Sequence, residues 1–178
     1  MTNQSTDRLQ VLKDAIQRKL STFDHETLTM GYIMIEDIAK ETGFTDLSHT
    51  EFVEAAKALK SNTFDMYPRH PDDFSDTSYL WVTPSPNSKK PSEAGVMPEK
   101  FWILRDPSGT KSMRVDEGLL VFSLPGYAAG HAITKGIGDF NVETYEWKQF
   151  VSSDKHQYSH VVLDYFSKDA PMNVIPVA

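Results

Sequence analysis

His156, His160 and Asp164 stand at intervals of four residues near the C-terminal end of the chain. Two imidazoles and a carboxylate on one side of a helix, or on one face of a strand, form a recognised set of metal ligands. The pattern lacks the glutamate of an HExxH helix, and the adjacent Val161 and Val162 favour a strand. Two ordinary histidines near a strand start are the simpler reading. A metal-dependent enzyme using these three residues is therefore the most distant functional expectation, and no cofactor is implied.

Other reactive residue types are no better placed. Ser123 lacks the GxSxG elbow that would raise a serine nucleophile above a sheet. His131 follows Gly126-Tyr-Ala-Ala-Gly130, which reads as a loop, and no nucleophile neighbours it by motif. Gly136-Ile-Gly138 lacks the third glycine of a dinucleotide fingerprint. Glu143 and Glu146 are paired in sequence only. With no cysteine in the chain, disulfides, thiolate zinc sites and cysteine nucleophiles are all excluded. An enzyme is the least favoured class.

The elements that would position such residues are clearest in the first half. Leu9, Leu12, Ile16 and Leu20 form one apolar stripe and predict a helix ending near Ser21, with Ser5, Thr6 or Asp7 as its cap. Leu28 to Ile35 reads as a short strand. Glu36 to Thr42 predicts two helical turns with Ile35, Ile38 and Ala39 inward, stopped by Gly43 in the left-handed conformation. Ser48-His-Thr-Glu51 is a capping box, and Phe52, Ala55, Ala56 and Leu59 continue it as a helix. Thr63 to Tyr67 and Tyr79 to Val82 read as strands on either side of a polar stretch, Arg69 to Ser78.

That order resembles the winged helix-turn-helix domain over about residues 5–83. On this resemblance Glu36 to Gly43 is the first helix of the motif, Phe44 to Leu47 the turn, Ser48 to Asn62 the recognition helix and Arg69 to Ser78 the wing. It implies a regulatory or accessory protein bound to double-stranded DNA as a dimer. Ser48, His49, Thr50, Lys57, Lys60, Arg69 and His70 would then meet the nucleic acid.

Charge weighs against that use. Residues 1–83 hold eight Lys/Arg against fourteen Asp/Glu, a net −6 of the chain's −7. Glu54, Asp65, Asp72, Asp73 and Asp76 lie among the expected contacts, whereas phosphate neutralisation supplies most non-specific DNA affinity. The alternative is an acidic adaptor that docks onto a protein partner with a basic face and never binds DNA.

Residues 84–98, with four prolines, read as a linker. Beyond them the sequence predicts a mainly antiparallel, β-rich domain over 99–178, making the whole an α+β protein. Phe101 to Leu104 and Thr110 to Val115 read as a hairpin around Asp106-Pro-Ser-Gly109. Leu119 to Leu124 follows as a strand, Phe140 to Phe150 is open between strand and helix, and His160 to Phe166 closes the sheet. Lys89, Lys90, Arg105, Lys111 and Arg114, with Lys100, are a local basic enrichment that would suit phosphates or an acidic partner, or be plain solvated surface. No basic patch followed by an apolar run opens the chain, and Leu119 to Ile133 is too short to span a bilayer. A cytoplasmic protein with no membrane partner is expected.

Overall fold

The structure is a computed structural model describing residues 3–88, 93–154 and 157–177, without the side chains of residues 3–6 and 154. It is a mixed α+β protein with five α-helices and two sheets among the described residues. The chain divides into two compact units, residues 1–88 and 89–178. The division falls inside the proline-rich stretch, but Pro84 and Ser85 are buried and Pro86–Ser88 forms a 3-10 turn, so the first residues of that stretch belong to unit 1.

Unit 1 runs α1 (Asn3–Leu20), β1 (Gly31–Met34), α2 (Ile35–Thr42), α3 (His49–Leu59), β2 (Phe64–Pro68) and β3 (Tyr79–Pro84). This is the element order read from the sequence. The start of α1 lies before Ser5, so none of the three expected caps opens it. Leu12, Ala15, Ile16 and Leu20 are fully buried, while Leu9, expected in the same stripe, is exposed. Met34 passes directly into α2, which ends at Gly43 with φ 75°, a left-handed stop that a side chain would strain. The α3 capping box is complete: Ser48 Oγ accepts from the Glu51 amide at 3.2 Å, and Glu51 Oε2 accepts from the Ser48 amide at 3.0 Å. Phe52 and Ala55 are completely buried, joined by Val53 and Ala56, and α3 packs these against α1 and β2. Removing the Phe52 ring would cost about 3–5 kcal/mol.

The three strands form an antiparallel sheet in the order β1-β3-β2. Its inner face carries Ile33, Leu80, Val82 and Phe64 into the core. Pairing of Tyr32 and Tyr67 with Trp81, and of Met34 with Tyr79, sends an apolar and aromatic set to the other face.

Unit 2 runs β4 (Lys100–Arg105), β5 (Arg114–Val115), β6 (Gly118–Phe122), α4 (Pro125–Thr134), β7 (Asn141–Glu146), α5 (Trp147–Asp154), β8 (His160–Leu163) and β9 (Asn173–Pro176). Its sheet has the order β7-β4-β6-β8-β9, with β5 on β6. All pairs are antiparallel except β6 with β8. Every residue of β6 is buried because both faces are covered. Leu120 and Phe122 pack with α4, while Leu119 and Val121 pack with Phe150 of α5.

Three expectations for this half are corrected. The predicted hairpin over 101–115 is not one: β4 pairs with β6 and β7, and only a single bridge links Arg105 to Ser112. The tight hairpin is β5-β6, turned by Asp116 and Glu117, both with positive φ, as a two-residue turn of that twist demands. The stretch containing Gly126 to Gly130 is a buried helix, not a loop, with Pro125 in its first turn. β8 ends at Leu163, since Asp164 has φ 52° and leaves the strand. The ambiguous 140–150 segment is strand first and helix after.

Candidate functional site

The solvent side of α3 is the first candidate surface. Thr50, Glu54, Lys57 and Lys60 are exposed on it, and the capping box turns the Ser48 side chain toward Glu51. The 69–78 loop folds against the same helix. His49 Nδ1 donates to the carbonyl oxygen of Ser75 at 2.6 Å, and Lys57 Nζ lies 4.2 Å from the centre of the Phe74 ring. His70 Nε2 lies 3.7 Å from Asp76 Oδ2. Three of the seven expected nucleic-acid contacts, Ser48, His49 and Lys57, are thus engaged within the unit. Thr50, Lys60, Arg69 and His70 are exposed.

The docked loop also sets charge beside the helix. Asp72, Asp73 and Asp76 are exposed on it, and Glu54 is exposed on α3. The Asp73 carboxylate accepts from the Ser75 amide at 3.0 Å, which holds its pKa below the ordinary range and keeps it ionised. At the other end of the motif, Arg8 of α1 donates to Asp46 at 3.0 Å and to Glu51 at 2.9 Å, and stacks 4.3 Å from Phe44. One cation therefore joins the α2–α3 turn, the α3 cap and α1.

A second surface is the outer face of the three-stranded sheet. Tyr32 is 46% exposed and Met34 37% exposed. Tyr32 meets Tyr79 edge-on at 5.5 Å, and Tyr79 lies 6.3 Å from Trp81. Tyr67 flanks Trp81 on the opposite side, and its hydroxyl reaches Asp65 at 3.4 Å. Tyr32, Tyr67, Tyr79 and Trp81 thus share the outer face of this sheet.

In unit 2 the basic residues do not gather. Lys89 and Lys90 lie outside the described residues. Arg105 is consumed internally: Nε donates to Glu143 at 2.7 Å, and its terminal nitrogens donate to Ser112 at 2.9 Å and Tyr145 at 2.7 Å. The Arg114 guanidinium lies 4.9 Å from the Tyr158 ring, and Lys100 and Lys111 are exposed. The metal candidates separate as well. His156 is outside the described residues, and His160 Nδ1 bonds the neighbouring Ser159 hydroxyl at 2.8 Å. Asp164, beyond the far end of β8, accepts from the Ser123 amide at 2.8 Å and its hydroxyl at 2.6 Å. Among the described residues no group of three His, Asp or Glu could hold a metal ion, and no helix is long and apolar enough to cross a membrane.

No family model, curated protein or solved structure matches this chain.

Two features escaped the sequence reading. The outer aromatic face is assembled from three strands, and only register brings Tyr32, Tyr67, Tyr79 and Trp81 together. Aromatics at alternate positions of Tyr79-Leu-Trp-Val82, both half-buried, were its one local signal. His131 lines a cleft in unit 2 formed by residues from four separate segments, and no motif announces it.

Proposed function

We propose that residues 3–88 form a winged-helix module used for protein docking in preference to duplex DNA, with the outer face of the β1-β3-β2 sheet as its docking surface. The observation that carries this reading is the ring array of exposed Tyr32 with half-buried Tyr79 and Trp81, bordered by Tyr67 and Met34. Tyr and Trp dominate the energetic centres of protein interfaces because they bury large areas for little conformational entropy.

The occupant is a partner protein presenting arginine or lysine side chains. The six-charge acidic excess of this half attracts such a partner at long range. Asp65 beside Tyr67 supplies a carboxylate at the face itself, and the ring faces supply cation–π sites. Duplex DNA is disfavoured because two of the α3 donors expected to reach it already hold the 69–78 loop, which carries Asp72, Asp73 and Asp76.

Titration of the full chain with an arginine-rich peptide and, separately, with mixed-sequence duplex DNA at low salt tests this. The peptide is expected to shift the Trp81 indole and Tyr32 ring signals, with loss of binding in Tyr32→Ser and Trp81→Ser. DNA binding that falls steeply with salt and disappears when Lys57, Lys60 and Arg69 become Glu would restore the DNA reading. Self-association abolished by Tyr32→Ser would instead assign the face to a second copy of the chain.

A further inference from the structure

Unit 2 contains a cleft of about 590 Å3 between the β5-β6 hairpin, the C-terminal half of α4 and the segment after β8. This lies within the range of roughly 300–1,000 Å3 found for small-molecule sites. Its wall is apolar where Met113, Leu120 and Phe166 meet, and Lys135, Lys168 and Arg114 are exposed around it against the single carboxylate of Asp116. The segment bearing Phe166 is fixed in place, since that ring packs 6.1 Å from Phe122 and 5.4 Å from Tyr127.

His131 lines this cleft from α4. It is 7% exposed, its ring lies 5.4 Å from Phe122, and among the described residues neither ring nitrogen has a hydrogen-bond partner. Neither nitrogen is among the fully buried unpaired atoms, so the ring lines the cleft with unpaired nitrogens that solvent, or a polar group entering the cleft, can reach. Burial first, and the nearby Lys135 ammonium second, hold the imidazole below its ordinary pKa. It is therefore neutral near pH 7 and offers one donor and one acceptor nitrogen.

We infer that this cleft binds a small amphipathic anion, its flat apolar body against Leu120 and Phe166, its carboxylate or phosphate toward Lys135 and Lys168, and a polar group at His131. The apolar wall supplies the affinity. The two lysines select the anion over a neutral molecule of the same shape, and His131 fixes its orientation. The inference is independent of the docking function proposed for unit 1.

Two probes of matched shape test it on the full chain: anilinonaphthalenesulfonate, an amphipathic anion, and uncharged N-phenylnaphthylamine. The anion is expected to bind saturably at one site, shifting the His131 ring nitrogens and the Leu120 methyl signals. Lys135→Glu with Lys168→Glu, at exposed positions that leave the core intact, should weaken the anion about tenfold and the neutral probe little. Anion binding that leaves the His131 signals unmoved, an equal loss for both probes in the double variant, or no saturable binding to the folded chain would each overturn the assignment.

Discussion

The ring of His49 and the carbonyl of Ser75 are joined by a 2.6 Å hydrogen bond that ties the first turn of α3 to the loop between β2 and β3. Together with Lys57 over Phe74, it makes the loop a cover for the helix and not a free projection. The same two α3 residues cannot hold the loop and read a nucleic-acid groove at once.

Replacing His49 with Ala should release that cover. The loop's internal bonds, Thr77 N–H to Phe74 O at 3.2 Å and Asp73 N–H to His70 O at 3.3 Å, are then supported at one end only. Hydrogen exchange at Thr77 and Asp73 should accelerate, with about 1 kcal/mol lost in global stability. Unchanged exchange at both amides would show that Phe74 and Lys57 hold the loop alone.

The local backbone devices of unit 1 were legible because each is written in a few adjacent residues. Gly43 stops α2, and Ser48 with Glu51 caps α3, as their spacing demands. Unit 2 was harder for physical reasons. Pro125, Gly126 and Gly130 read as breakers, yet proline suits a first helical turn, and a helix buried on every side shows no polar face and hence no period. The parallel pairing of β6 with β8 spans about forty intervening residues that no local pattern constrains. Site residues suffered most. Arg105 looked like a free cation until Glu143 and Tyr145, brought beside it by β7, were seen to claim it.

The Ser48–Glu51 box should control both the stability of unit 1 and its response to acid. Ser48→Ala is expected to cost about 1 kcal/mol. The Ser48 amide, aided by the Ser48 hydroxyl and Arg8, holds the Glu51 carboxyl below its ordinary 4.5 despite opposing desolvation. A depressed acid stabilises the fold above its unfolded pKa, and that contribution is lost as pH falls through the folded value. Denaturant midpoints followed through α3 signals should therefore drop below about pH 4.5 in the wild type and less steeply in Glu51→Gln.

Asp164 should prove structural through its bonds to Ser123. It adopts φ 52° and accepts from both the amide and the hydroxyl of Ser123, tying the ends of the parallel β6 and β8 strands. Asp164→Ala removes both acceptors and places a poor residue in the left-handed region, so a loss of about 2–4 kcal/mol is expected. Asp164→Asn keeps the backbone preference and one acceptor, and should retain most of the stability. Equal losses in thermal unfolding of the two variants would contradict this account.

His131 gives unit 2 a pH response opposite in chemical origin to that of Glu51. Burial is the larger cause and Lys135 the smaller in lowering its pKa from the ordinary 6.5. Lys135 lies on the same helix, Arg114 and Asp116 face the cleft from the β5-β6 hairpin, and Tyr165 and Lys168 face it from beyond β8. Below pH 6.5 the unfolded chain takes up a proton that the folded unit resists. The contribution is therefore complete above 6.5 and is lost as pH falls from there toward the folded value. Denaturation followed through Leu120 methyl signals should show a midpoint that falls on acidification through this window. Lys135→Met removes the lesser of the two causes and should soften the fall without abolishing it. A His131 ring that titrates at or above 6.5 in the folded chain would refute the argument, because burial without a hydrogen-bond partner can only favour the neutral imidazole.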